Sequence, residues 1–246
     1  MIRFDNVFKT LGGQQVLNGL NLEIHQGETM VIIGRSGSGK SVTLKHIIAL
    51  MLPDRGTVSV DGLNVAALDK TGVFQLRRKF GVLFQSGALI NWLSVYDNVA
   101  LPLREHTRKT PAEIGRLVSA KLQLLDLSEH ADKMPADLSG GMKKRAGLAR
   151  AIVLDPQIIL YDEPTSGLDP VMASRIDLLI NSVRQKLGVT SVVVTHHMES
   201  AYRVADRIAM LYDGSIIQLG TPDEIKNSDN PVVQQFVHGR IEGPMD

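Results

Sequence analysis

Residues Gly34-Arg35-Ser36-Gly37-Ser38-Gly39-Lys40-Ser41 fit the pattern G-x-x-x-x-G-K-[ST] at every position. Glycines at 34, 37 and 39 let the backbone wrap closely around phosphate oxygens. The loop N–H groups and the positive end of a following helix would then hold a β-phosphate. Lys40 would reach the β- and γ-phosphates of ATP as a compact cation, Ser41 would present its hydroxyl to Mg²⁺, and Val42 follows in the same binding turn. A second segment, Leu138-Ser139-Gly140-Gly141-Met142, places Ser139 as a helix N-cap and leaves the amides of Gly140 and Gly141 open to an anion. One nucleotide site needs only the first segment, so the pair points to an ATPase that works as a face-to-face dimer. A third group closes an apolar run, Ile158-Ile159-Leu160-Tyr161-Asp162-Glu163. Asp162 at the end of that strand can hold the magnesium shell, and Glu163 lies where a carboxylate can polarise an attacking water. Each group alone has a plain structural reading: a glycine-rich turn, a capped helix start, an acidic turn after a buried strand. Their combination selects nucleotide chemistry.

The elements needed to position these residues are legible. Thr29–Ile33 is apolar after its first residue, which suits a strand covered on both faces. It leads into the glycine loop, and a helix is expected over Lys40–Met51, giving the strand–loop–helix context that such a loop requires. Arg3–Val7, Gly19–Ile24 and Thr57–Val60 read as further strands, residues 72–80 as a helix, and Gly81–Phe84 as a short strand. Residues 86–154 lose strand character. There, Thr110-Pro111-Ala112-Glu113 is a capping box with Pro at the first helical position, and a second helix starts near Ser139. Strands return at Gln157–Tyr161 and Thr190–Thr195, with a helix after Pro170 between them. Tyr212-Asp213-Gly214-Ser215 signals a hairpin, and Thr221-Pro222-Asp223-Glu224 opens a short helix. Lys143, Lys144 and Arg145 read as a solvated helix face.

Composition narrows the class. The 27 basic residues nearly cancel 26 acidic ones, for a net charge of +1, which gives no support for nucleic acid as a partner. The absence of cysteine excludes disulfides, thiolate metal sites and a cysteine nucleophile. The first residues read as a strand rather than a signal peptide. No apolar run approaches the ~18 residues of a membrane span. A soluble chain is expected, with any membrane role supplied by a partner.

The P-loop, Gln85, Leu138–Met142, Asp162-Glu163, Ser166-Gly167-Leu168-Asp169 and Thr195-His196 occur in the order found in ABC-type ATPases, and the resemblance covers essentially the whole chain. It implies an α/β P-loop NTPase (RecA-like) core with an N-terminal antiparallel β subdomain and an inserted α-helical subdomain. The ATPase domain would span 1–220 with its helical part at about 86–155, followed by a C-terminal helix and tail at 221–246. The resemblance further implies that Gln85 contacts magnesium and senses a transmembrane partner. Ser139 and Gly141 would contact the γ-phosphate in trans, Asp169 would meet the opposite P-loop, and His196 would contact the γ-phosphate. Three departures stand out. Met142 replaces the usual Gln, His197 replaces a frequent Asp, and Leu11 stands nearest the place of an adenine-stacking aromatic, with Phe8 out of register.

Three stretches are more particular: Leu83–Leu89, Asp97–Thr107 and Ser139–Arg145. Together they resemble the ATPase subunit of MCE/Mla-type systems, which move phospholipid between the inner and outer membranes of Gram-negative bacteria. That resemblance implies a second copy of the chain, a membrane permease, an MCE lipid-binding protein and a small STAS-domain protein as partners. It also implies a location at the cytoplasmic face of the inner membrane. The ATPase of another ABC importer or exporter, and a non-transport ABC ATPase, remain as other readings. Pro231–Val237 reads as a short amphipathic helix, whose tail either packs on its own surface or crosses to the second copy.

Overall fold

A computed structural model describes residues 1–245. The chain folds as two compact units, Met1–Arg77 with the segment from Thr190 onward, and Arg78–Val189. The first unit begins with β1 (Ile2–Leu11) and β2 (Gln14–Ile24), followed by β3 (Thr29–Ile33), α1 (Lys40–Ile47), β4 (Arg55–Val60), β5 (Leu63–Asn64) and α2 (Lys70–Arg77). β1 pairs antiparallel with both β2 and β4, and β5 extends β4, making an antiparallel sheet. On β2 the apolar Leu17, Leu20, Leu22 and Ile24 are buried between exposed polar neighbours, the alternation of a sheet with one covered face. α1 stops at Ile47, short of the expected Met51. Ala49 adopts a left-handed backbone, φ +52°, and the Leu50 N–H turns back to the Lys45 carbonyl at 2.9 Å, a six-to-one helix stop of the Schellman kind.

In the second unit β6 (Phe80–Leu83) is followed by α3 (Val95–His106), α4 (Pro111–Leu124), α5 (Gly140–Ile152), β7 (Ile158–Asp162) and α6 (Pro170–Leu187). β6 and β7 run parallel, from Phe80 opposite Ile158 to Leu83 opposite Tyr161. The helices that pack beside them start on side-chain caps: Ser94 for α3, the full Thr110/Glu113 capping box for α4, Ser139 for α5 and Asp169 for α6. α3 contains Pro102 and is anchored by the buried Asn98, whose amide donates to the carbonyls of Ile90, Leu93 and Ser94 at 3.0 Å each.

The chain then returns to the first unit with β8 (Thr190–Thr195), α7 (Met198–Val204), β9 (Arg207–Tyr212), β10 (Ser215–Gly220), α8 (Pro222–Lys226) and α9 (Pro231–His238). β3 lies between β8 and β9, parallel to both, and β10 pairs antiparallel with β9 across the Asp213-Gly214 turn. All five residues of β3 and all six of β8 are buried, which explains the apolar run Met30–Ile33 and the valines 192–194. Parallel pairing puts the C-terminal ends of β3 and β8 side by side, Ile33 opposite Thr195.

Candidate functional site

In the first unit the glycine loop joins the end of β3 to the start of α1. Its backbone demands glycine. Gly39 has φ +102°, and a Cβ there would meet the Val16 carbonyl oxygen at 3.0 Å. A Cβ on Gly34 would lie 2.4 Å from the Leu211 carbonyl oxygen. No side chain among the described residues caps α1, whose N-terminal end, the positive end of the helix dipole, faces the glycine loop. Lys40 is 7% exposed, and its ammonium donates to the carbonyls of Gly34 and Arg35 at 2.7 and 2.8 Å. Ser38 Oγ is buried without a hydrogen-bond partner among the described residues, a polar atom that a bound phosphate would satisfy. Ser41 and Val42 are half-buried on the first turn of α1, while Arg35, Ser36 and Gly37 are exposed. These last three line a cavity of about 590 Å³ together with Val16, Tyr212 and Met245. Glycine cradle, open helix start, cation and orphan hydroxyl together fit a nucleotide phosphate chain. His196, at the end of β8, is exposed, with its ring centroid 4.5 Å from that of His197. The P-loop and His196 therefore follow the C-terminal ends of adjacent parallel strands, where open α/β sheets bind ligands.

In the second unit Gln85 follows β6 and Asp162 ends β7, again at the carboxyl ends of parallel strands. Asp162 is half-buried; Glu163 is 9% exposed. Glu163 has φ +49°, a left-handed backbone for a residue with a full side chain, of the kind that persists only where its surroundings hold it. Gln85 is exposed, and its Nε2 donates to Ser166 Oγ at 3.4 Å, so the residue after β6 meets the turn after β7. Among the described residues no cluster of three or more His, Cys, Asp or Glu could hold a metal.

Ser139 and Gly140 are exposed at the start of α5, and Ser139 Oγ accepts from the Met142 N–H at 3.3 Å. Gly141 is buried, with the Met172 methyl 2.4 Å from where a Cβ would be. Asp169 is exposed, and Oδ1 accepts from the N–H groups of Val171 and Met172 at 3.0 Å each. Leu168 approaches Gly140, with its Cδ2 3.3 Å from where a Cβ would be, which brings the two sequence motifs together on one surface.

The basic run after Met142 corrects the sequence reading. Lys144 is 4% exposed, not solvated. It donates to the carbonyls of Gln85 and Glu163, the latter at 3.0 Å. Burial pushes its ammonium below the usual lysine range, against the opposing charges of Glu163 and Asp162. Arg145 is half-buried and donates to the carbonyls of Leu125 and Asp126 at 3.2 and 3.1 Å. Nothing in the local pattern marks these contacts, because their acceptors lie at least 19 residues away along the chain. Tyr212 was likewise hidden until the β3–β9 pairing carried it to the P-loop cavity. Phe8 has another partner: the Arg55 guanidinium lies 4.6 Å over its ring.

A strand–glycine loop–helix unit and a second parallel strand ending in two carboxylates define a P-loop nucleotide hydrolase. The sequence profile described as "ABC transporter" matches residues 17–166. The "probable ribonucleotide transport ATP-binding protein mkl" of Mycobacterium leprae is 44% identical, over 99% of this chain and 70% of that one. The "intermembrane phospholipid transport system ATP-binding protein MlaF" of Haemophilus influenzae is 38% identical, over 100% of this chain and 93% of that one. Among solved structures, the ATP-binding cassette MJ0796, in a dimeric post-hydrolysis state bound to ADP and Pi, matches with a TM-score of 0.82 at 35% identity, covering 90% of this chain and 99% of that one. The chain belongs to the ABC transporter family. It is an ATP-binding, ATP-hydrolysing transporter subunit whose α/β P-loop core carries an antiparallel β region and an α-helical insert.

Proposed function

We propose that this ATPase powers phospholipid transport between the inner and outer membranes of a bacterium, as a homodimer bound to a permease. The observation that carries the dimer is the presence of two anion-ready segments, the P-loop and the exposed Ser139–Gly140 helix start. The first holds ATP in cis through the residues from Gly34 to Val42, with Lys40 on the β- and γ-phosphates. The second, Ser139 to Gly141, caps the γ-phosphate of the other copy, with Asp169 beside it. Ser41, Gln85 and Asp162 are the residues that would hold Mg²⁺, which would supply charge neutralisation on the phosphates. Glu163 polarises the attacking water and His196 contacts the γ-phosphate. Hydrolysis removes the group that joins the copies, so the dimer reopens. Closed and open states thus differ in their affinity for ATP, which is what lets ATP shift the equilibrium between them. The movement reaches a permease helix beside Gln85.

Phospholipid as cargo draws its support from the MlaF relative, which is matched over nearly its full length. An MCE lipid-binding protein and a STAS-domain protein complete the proposed complex, and the chain sits at the cytoplasmic face of the inner membrane. Among the described residues no helix is long and apolar enough to cross a membrane. We assign 1–220 to the ATPase domain, with its helical part at about 86–155, and 221–246 to a C-terminal extension. A second reading, ribonucleotide as cargo, is favoured by the higher identity to the mycobacterial relative. The test is to purify the complex from its native membrane, identify the co-purifying subunits and measure ATPase activity with added phospholipid vesicles or ribonucleotide. Stimulation by phospholipid, with a permease and a lipid-binding subunit present, is expected. Stimulation by ribonucleotide alone would overturn the lipid assignment.

A further inference from the structure

Lys144 lies on the second turn of α5, the helix whose first residues form the Ser139 segment. It is 4% exposed, and its ammonium spans two backbone carbonyls from different turns. One belongs to Gln85, after β6; the other, at 3.0 Å, belongs to Glu163, after β7. Glu163 is the residue held at φ +49°, and its carbonyl also accepts the Ser166 N–H at 3.2 Å. A left-handed backbone on a residue with a full side chain needs outside support, and two donors on that one carbonyl supply it. A buried ammonium is a costly way to fill space: an apolar side chain of similar volume would pack there without desolvating a charge. Its three N–H donors, by contrast, can hold several carbonyls in fixed directions at once.

We propose that Lys144 is a positioning residue for hydrolysis. It ties the Gln85 turn and the strained backbone of Glu163 to the helix that starts at Ser139. A γ-phosphate contact at Ser139 and the direction of the Glu163 carboxylate are then set by one rigid piece. This inference rests on the reading of Glu163 as the group that polarises water. Lys144 touches no nucleotide; it acts through the peptide that carries the carboxylate.

The test compares full-length Lys144→Met, Lys144→Gln, Ile152→Val and Glu163→Gln by ATPase kinetics, ATP affinity and thermal melting. Lys144→Met keeps the stem and removes the donors. Its kcat should fall by at least about tenfold, the equivalent of ~1.4 kcal/mol in the barrier. KM and ATP affinity should stay within about twofold, because the P-loop is untouched. Lys144→Gln, with a shorter donor, should fall between. Ile152→Val loosens the same helix without touching Lys144 and should lower Tm while leaving kcat unchanged. A folded Lys144→Met with kcat within about twofold of the parent overturns the proposal. So does a parallel loss of kcat in Ile152→Val, which would make stability the cause. If Lys144→Met does not fold, Lys144→Gln is read by the same criteria, and failure of both to fold makes Lys144 a structural support and ends the proposal. Normal turnover in Glu163→Gln would sink the role given to Glu163. An inactive Glu163→Gln beside an active Lys144→Met would sink the Lys144 inference alone.

Discussion

Substitution of Ser139 separates two jobs that one hydroxyl could do. As a helix cap, Ser139 Oγ accepts the Met142 N–H at 3.3 Å, the long end of N–H···O geometry. Ser139→Ala should therefore cost ~0.5–1 kcal/mol, in the lower half of the usual cap range. In a chain of this size that is a drop of roughly 1–4 °C in Tm. Ser139→Gly should cost only about a few tenths of a kcal/mol, and Ser139→Asp should cap about as well as serine. Stability thus ranks Ser and Asp first, then Gly, then Ala. As a phosphate contact the order changes, because Asp brings a negative charge to the γ-phosphate. At a separation of about 4 Å and an effective dielectric of ~20, the repulsion is ~4 kcal/mol. Half of that, allowing for screening at an exposed site, still weakens dimer closure by roughly 30-fold. The assay is ATPase rate against protein concentration, with a melting curve for each variant. Ser139→Asp should melt with the parent and be the least active of the three. If Ser139→Asp hydrolyses ATP at the parental rate, the segment only starts a helix, and the trans-capping reasoning fails.

Three further outcomes follow from the structure. Lys40→Ala removes a cation that now rests on the Gly34 and Arg35 carbonyls, and should weaken ATP binding by at least about tenfold, as expected for a charge-assisted hydrogen bond; unchanged affinity in a nucleotide titration would refute the assignment. Thr110→Ala removes the hydroxyl that accepts the Glu113 N–H in the α4 capping box while keeping the backbone N–H that donates to the Glu113 carboxylate, and should lower Tm by roughly 2–4 °C, about 1 kcal/mol, with kcat unchanged; a change in kcat would show that α4 has a part in turnover. His46, fully buried on α1 with Nδ1 2.8 Å from the Val42 carbonyl oxygen, is pushed by burial below its ordinary pKa of 6.5. Its folded form binds fewer protons than its unfolded form, so its stabilisation is present above pH 6.5 and is lost as pH falls through the depressed folded value. Melting curves from pH 7 to about 5 should show a shallower acid loss in His46→Gln than in the parent, and equal slopes would remove His46 as the cause.

Features decided by neighbours in sequence were legible. The Thr110 and Thr221 boxes, the Ser139 cap and the Tyr212–Ser215 turn all formed, because each is chemistry within four residues. Thr29–Ile33 and Thr190–Thr195 appear at the expected bounds, because strands buried on both faces carry β-branched and apolar residues on both faces rather than an alternation with charged ones. Features that depend on distant partners were not. α3 was not singled out because Pro102 interrupts its pattern, and its hold comes from Asn98 reaching back to a loop. The left-handed backbone of Glu163 and the buried Lys144 meet across 19 positions, and neither residue type announces the other. The tail shows the same limit. Met245 is buried, with its N–H bonded to Gln235 Oε1 at 2.7 Å and its carbonyl accepting from Arg35, a packing that no periodicity in the last residues indicates.

The central claim, that ATP joins two copies through the P-loop of one and the Ser139 segment of the other, is tested most directly by the solution mass of Glu163→Gln, measured by light scattering with and without Mg-ATP. The expected result is one chain mass without nucleotide and twice that mass with it, with the dimer abolished by adding Ser139→Asp. A mass that does not change with ATP, or a dimer that survives Ser139→Asp, would contradict it.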